Sequence, residues 1–242
     1  MPLSMPHLLI PDMSLITDPT LALTMMARTF SLRARRAVAG AAAPTYVAAG
    51  TGVTGSTSLS VPYYAGLAAD DIALIFVCSN SSPTIGVPSN YTAISNQIAD
   101  SNSSNYGRGF WKRLTGSESG NVTVSCTGGS QSEGVMIGIR GCITTGTPYE
   151  GHATTTTYTA TPAITTTGPN RLLIDHFYWS TDSSSVSISG WTRDAYVETA
   201  GENATAVFHK ERATAGTEAA TNYSNLSALY GGSQAIAMLP TG

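Results

Sequence analysis

Charge is what this sequence has least of: 11% of its 242 residues are Asp, Glu, Lys or Arg, against about 25% in an ordinary soluble chain. Glu, Lys and Leu are too scarce for a coiled coil or a helical bundle. No apolar run approaches the roughly 20 residues of a membrane helix, so no membrane partner is expected. A net charge of −3 offers no basic footprint for nucleic acid. Only three cysteines occur, Cys78, Cys126 and Cys142. An odd count argues against a disulfide framework, and their spacing matches no zinc site. They read as buried thiols of a chain made in the cytoplasm, and no metal or cofactor is expected. Against these absences stand 42% hydrophobic residues and 24 glycines, with abundant Ser and Thr. That balance excludes disorder and describes a Thr/Ser/Gly-rich β protein.

Alternation carries the β signal. Leu59, Val61 and Tyr63 alternate with Ser58, Ser60 and Pro62, and Val122, Val124 and Cys126 with Asn121, Thr123 and Ser125. Period two with polar partners predicts half-buried antiparallel strands. Ile72 to Cys78 is apolar on both faces and predicts a central strand, and Val135 to Ile139 is similar. Gly, Ser, Asn and Pro clusters punctuate these runs as loops. The expected fold is all-β, an antiparallel sandwich or jelly roll over residues 45–242.

Residues 1–44 differ. They hold four Arg and two Asp, a net +2, while the remainder is −5. Asp18 suits an N-cap, with Pro19 at the first helical position. Leu21, Met25, Arg28 and Leu32 recur at helical spacing, and Arg33, Arg35 and Arg36 gather at the far end, where cations suit the helix dipole. These seven residues are the expected partner-binding set of an arm that docks on a neighbouring subunit.

The domain also looks duplicated, with halves at about 55–145 and 155–242. Residues 71–78 correspond to 171–178, Tyr91-Thr92 to Trp191-Thr192, Gly116-Ser117-Glu118 to Gly216-Thr217-Glu218, and 135–139 to 235–239, each at an offset of 100. Two such units facing each other would build one sandwich, each burying the other's apolar face; the alternative is two separate barrels in tandem.

These residues resemble a known module. DDIALIFV is followed by PSNYT, FWKRLTGSE, NVTVSC and VMIGIRG with a later TPYE, then by PAITTTGPNRLLI and GWT. The series is similar to the β-sandwich module of tailed-bacteriophage virion proteins, found in decoration, head-fibre and tail-associated proteins. The resemblance covers about residues 55–240 and not the arm. It departs at Tyr91, where Trp is common, although Trp191 supplies it in the second half. The resemblance implies a non-enzymatic virion protein, either a capsid decoration (cement) or a head-collar component. Its partners would be other virion proteins and further copies of the chain. The alternative is a tail-fibre or baseplate module that binds host glycans. The family offers no catalytic residues to carry over.

Gly-Ser-Glu-Ser-Gly at 116–120 puts Glu118 where a hydrolase nucleophile would stand, and reads as a turn. Glu118 and Glu218 would form a glycosidase pair only at about 5–10 Å, and the duplication places them in equivalent turns instead. Asp175 and His176 are strand neighbours that point to opposite faces, with His176 expected half-buried. Asp100 to Asn105 offers oxygen ligands, but without the Gly and terminal Glu of a calcium loop. Among aromatics that could stack on sugars, Trp111, Trp179, Trp191 and Tyr106 read as core. Tyr149 and Tyr158, in the Thr-rich connection, are the exposed glycan-contact candidates.

Overall fold

The computed structural model describes residues 41–180, 185–199, 203–226 and 230–242. Leu21, Met25, Arg28, Leu32, Arg33, Arg35 and Arg36, and with them the expected arm helix, lie outside the described residues. Ala41–Gly242 forms one compact unit. Its described residues contain strands and no helix.

The first half runs β1 (Thr45–Ala49), β2 (Val53–Gly55), β3 (Ser58–Pro62), β4 (Ala69–Asn80), β5 (Thr84–Ile85), β6 (Thr92–Ala93), β7 (Ile98–Ala99), β8 (Asn105–Thr115), β9 (Asn121–Thr127) and β10 (Ser132–Arg140). The second runs β11 (Tyr149–Thr155), β12 (Ile164–Thr166), β13 (Arg171–Ser180), β14 (Ser187–Ile188), β15 (Thr192–Thr199), β16 (Asn203–Arg212), β17 (Gly216–Glu218), β18 (Tyr223–Ser224) and β19 (Gly231–Met238). One large sheet has the order β1-β10-β4-β8-β6, with β2 on β10 and β7 on β8; the other has the order β11-β19-β13-β16-β15. Smaller sheets are β3-β9-β5, β12-β17 and β14-β18. All pairings are antiparallel.

Alternation along β4 explains the layering. Ile72, Leu74 and Phe76 enter a cluster with Val135, Ile137 and Ile139 of β10 and with Leu172, Ile174, Val197, Val207, Ile236 and Met238 of the second sheet. The two large sheets therefore share a core. Ala73, Ile75 and Val77 point the other way and pack under Leu59, Val61, Ile85, Val122, Val124 and Cys126 of the small sheet. In β13, Phe177 and Trp179 do the same against Val186, Ile188 and Tyr223, and Leu173 against Ile164. The layout is sandwich-like, but with four layers where one two-layer sandwich was expected. Runs apolar on both faces need cover on both faces, and a single partner sheet covers only one.

Two aromatic rings are seated on bare backbone. A Cβ on Gly107 would stand 2.2 Å from the Tyr178 ring, and one on Gly138 would stand 2.2 Å from the Tyr64 ring. The Tyr178 hydroxyl donates to the Ile98 carbonyl at 2.7 Å, which fixes that ring across the two halves. Gly107→Ala and Gly138→Ala should each cost about 1–3 kcal/mol by overpacking. Gly151→Ala, where nothing lies within 4 Å, should stay within about 0.5 kcal/mol of the parent. Urea unfolding of the three variants checks this, and equal midpoints would show that the rings do not need the glycines.

Opposite-polarity ion pairs brace the first turns of the two central strands. Asp71, at the start of β4, takes the Arg140 guanidinium with both oxygens at 2.7 Å, together with the Tyr64 hydroxyl at 3.2 Å and the Ala68 amide at 2.9 Å. Arg171, which opens β13, grips Glu150 of β11 at 2.9 and 3.0 Å.

Candidate functional site

Most titratable groups picked out in the sequence hold the fold. Glu118 accepts from the Thr115 and Gly116 amides at 3.0 Å and pairs with Lys112 at 3.0 Å. Burial works to raise its carboxyl, but the Thr115 amide and Lys112 outweigh that and hold it at about 2. Glu218 does not sit in a matching turn: it belongs to β17, where Lys210 and Arg212 each reach it at 2.5 Å. The short strand pairs with β12 across Thr166↔Gly216 and Ile164↔Glu218, which draws this segment out of the turn.

Asp175 and His176 face opposite layers. Asp175 accepts from the Tyr223 hydroxyl at 2.6 Å and the Ser233 hydroxyl at 2.7 Å. Burial lifts its carboxyl to about 7 against those two bonds. His176 is fully buried, not half-buried, because the second large sheet is covered on both faces. Its ring stacks on Phe76 at 4.8 Å, its Nε2 meets the Thr205 hydroxyl at 2.7 Å, and burial lowers it to about 3. Asp100 spends its oxygens on its own loop, accepting from the Asn102 and Ser104 amides and the Asn105 carboxamide at 2.9–3.1 Å. Cys78, Cys126 and Cys142 are free and buried. Among the described residues no group of three or more His, Cys, Asp or Glu gathers as a metal set, and no helix is long and apolar enough to cross a membrane.

Tyr149 and Tyr158 are not exposed loop side chains. Both are half-buried: Tyr149 packs on the core between the large sheets, and Tyr158 on the core beneath β14 and β18. The Thr-rich connection forms β11, whose edge contacts turn Tyr149 inward.

Three arrangements are absent from the sequence reading. Asp194, the bulged residue of β15, bonds His209 Nδ1 of β16 at 2.7 Å. That bond, together with the Asp194 charge, raises the imidazole above its ordinary value, though burial opposes it. An Asp–His pair activates a nucleophile held within hydrogen-bond reach of the ring. Here the imidazole lies flat on the Tyr46 ring, at 5.4 Å and 13°, so the pair holds β1 against the second sheet. The three residues come from β1, β15 and β16, and no local motif signals them.

The second arrangement is a cleft of about 310 Å³ lined by Asn80, Ser81, Ser82, Ser103, Ser104, Asn105, Ser180 and Asn203, drawn from both halves. Much of its polar chemistry is internal: Asn80 bonds Gln131 and Ser130, and Asn105 bonds Asp100. The third is a pocket of about 300 Å³ lined by Tyr63, Ser89, Asn90, Tyr91, Lys112, Asn121, Val122 and Thr123. The Lys112 ammonium stands 6.0 Å over the Tyr91 ring, and Tyr63 shares the same wall. The wall brings together the half-buried Tyr63, the buried Tyr91, exposed amides and hydroxyls, and a paired cation. Tyr91 and Trp191 were noticed in the sequence as a matched pair, but Tyr63 and Lys112 were not, because they arrive from separate strands. Comparison with family models, with curated proteins and with solved structures finds no match.

Proposed function

We propose that the chain is a non-enzymatic structural protein of a phage virion, a capsid decoration or head-collar component, built from two copies of one jelly-roll-like unit. The carrying observation is the strand order. Number the main strands of the first half one to seven, as β1, β3, β4, β5, β8, β9 and β10. The large sheet then reads one-seven-three-five and the small sheet two-six-four. First with last and second with sixth is a hairpin rolled up on itself, the plan of jelly rolls, which recur in viral capsid and lectin domains. This is an analogy of fold, to which the sequence resemblance adds.

The second half supports the duplication. Its large sheet begins β11-β19-β13-β16. Ile75 faces Phe110 and Met136, and Asp175 faces Phe208 and Ala235. Thr92 faces Trp111, and Thr192 faces His209. A bulge follows Tyr46 in β1 and Tyr149 in β11. The correspondence on the last strand moves by one residue from the sequence estimate, since Val135 faces Phe76 as Gln234 faces His176. Support for a mechanical role comes from Asp71, Asp100, Glu118, Glu150, Asp175 and Glu218, whose carboxylates all serve internal bonds.

In this reading Leu21, Met25, Arg28 and Leu32 dock on a neighbouring virion subunit, and Arg33, Arg35 and Arg36 pair with its carboxylates. Deleting residues 1–40 should leave the melting temperature of the β module unchanged and lower the copies per particle at least about tenfold, a loss of roughly 1.4 kcal/mol in docking. Quantitative mass spectrometry of purified particles reads the copy number. Incorporation at the parental level would defeat the docking arm. The second reading, a tail-fibre or baseplate module binding host glycans, is favoured by the Tyr63–Tyr91–Lys112 pocket.

A further inference from the structure

We propose that the pocket between β3, β6, β8 and β9 is a subsite for one neutral sugar ring, with Tyr63, Asn90 and Asn121 as its contact residues. The inference deepens the glycan-binding reading and stands apart from virion incorporation, which a different measurement tests.

Size comes first. About 300 Å³ is the lower end of small-molecule sites, room for a single ring and its waters. Composition comes next. The wall combines two tyrosines with exposed Ser89, Asn90, Asn121 and Thr123. Aromatic bodies with polar tips suit a ligand that has apolar faces and a hydroxyl rim. The Asn121 carboxamide is oriented by a 2.9 Å bond to the Ser60 hydroxyl, so this contact group is pre-positioned.

Charge decides between ligand classes. Lys112 is the cation of the pocket, and Glu118 already holds it at 3.0 Å, with its own carboxylate pinned by two backbone amides. A phosphate or uronate on that ammonium would sit beside the Glu118 carboxylate and be repelled by it, whereas a neutral hydroxyl can accept from the ammonium without that repulsion. Lys112 is the one charged residue among the described residues of the wall, and Glu118 just outside it balances that charge, which favours an uncharged ligand.

Asn90 supplies the specific element. It is held at φ +62°, a left-handed conformation that glycine adopts without cost. In the corresponding turn of the second half, Gly190 sits at φ +78° before Trp191. The Tyr91 amide bonds the Pro88 carbonyl and the Trp191 amide bonds the Ile188 carbonyl, so the two turns close alike. Lys210 also stands 6.0 Å over the Trp191 ring, but Glu218 there is shared with Arg212. The second copy keeps the cation and ring and lacks the amide. The first half thus carries an exposed carboxamide at a left-handed position that the second half fills with glycine.

The test is a titration of the full-length ¹⁵N-labelled protein with D-glucose, D-galactose and N-acetyl-D-glucosamine, and with sodium glucuronate as the anionic probe. Saturable shifts at the amides of residues 89–91 and 121–123 by at least one neutral sugar are expected, with the amides around Trp191 unmoved. Tyr63→Ala and Asn121→Ala should each weaken binding about tenfold, and Asn90→Gly about fivefold, the loss of one hydrogen bond or stacking contact. Asn90→Gly suits its backbone, so its loss of binding cannot come from misfolding. The proposal is overturned if none of the neutral sugars gives saturable shifts, if Asn90→Gly and Tyr63→Ala bind like the parent, or if glucuronate binds more tightly than the neutral sugars. Normal virion incorporation of the Asn90→Gly protein would leave the structural reading standing on its own test.

Discussion

Phe177→Ala is expected to lower the stability of the β module by about 3–5 kcal/mol, the range for emptying a buried phenylalanine site. Phe177 is wholly buried, with ring centroids 3.9 Å from Tyr223 and 4.6 Å from Trp179. Removing it opens a cavity between β13 and the small sheet β14-β18. It also withdraws the support of Tyr223, whose hydroxyl holds the buried Asp175 carboxylate at 2.6 Å. Phe177→Leu, which keeps most of the volume, should cost less than about 1.5 kcal/mol. Guanidinium unfolding followed by the fluorescence of Trp179 and its neighbours reports both variants. A loss under about 1 kcal/mol for the alanine variant would show that the small sheet does not depend on this stack.

The second large effect is a pH dependence that Glu133→Gln removes. Glu133 on β10 is fully buried, faces Cys78 of β4 and Thr54 of β2 in the strand register, and lies near Thr199 of β15 with no hydrogen bond from any described residue to either carboxyl oxygen. Burial lifts its carboxyl to about 7, against the Thr199 hydroxyl. In the unfolded chain the same group releases its proton near 4.3. Between those values the folded state binds the extra proton, so stability falls as pH rises and the full penalty is present above about 7. Glutamine carries no charge and does not titrate. The difference in unfolding free energy between Glu133→Gln and the parent should therefore grow by about 3 kcal/mol from pH 4 to pH 8, in favour of glutamine. Asp175 and His176 also titrate, but identically in both proteins, so they cancel from the difference. Parallel stability curves would place the Glu133 charge in contact with solvent.

The two central strands were legible in the sequence pattern. IALIFVC is apolar on both faces, and only a strand with neighbours on each side and layers above and below uses such a run; RLLIDHFY, with Asp175 and His176 inside it, was legible through its match to 71–78 at an offset of 100. The burial of β9, exposed and buried in strict turn, matches the alternation of Asn121 to Thr127. The number of layers was not legible. A strand with two apolar faces states that both are covered and not by what, so one large partner sheet and a second small one read alike. Single contacts between distant strands were also out of reach. Tyr46 meets His209, and Tyr63 shares a wall with Lys112, through pairings fixed by the whole sheet order. Tyr149, expected as an exposed glycan contact, is half-buried, because the Thr-rich stretch gives no sign of the β19 edge it joins.

The opposed polarity of the two bracing ion pairs bears on how the chain sorts itself while it folds. If the two halves are copies of one unit, as proposed, they invite exchange, since a strand from one half can add to the unfinished sheet of the other. Here the exchange carries a penalty. Strand β10 laid beside β13 in the place of β19 would bring Arg140 to Arg171. That wrong pairing sets like charges together where the correct one forms a two-pronged salt bridge. Discrimination of this kind needs no difference in hydrophobicity between the halves. The ion pairs would then contribute more to the yield of correctly assembled molecules than to the stability of any one of them.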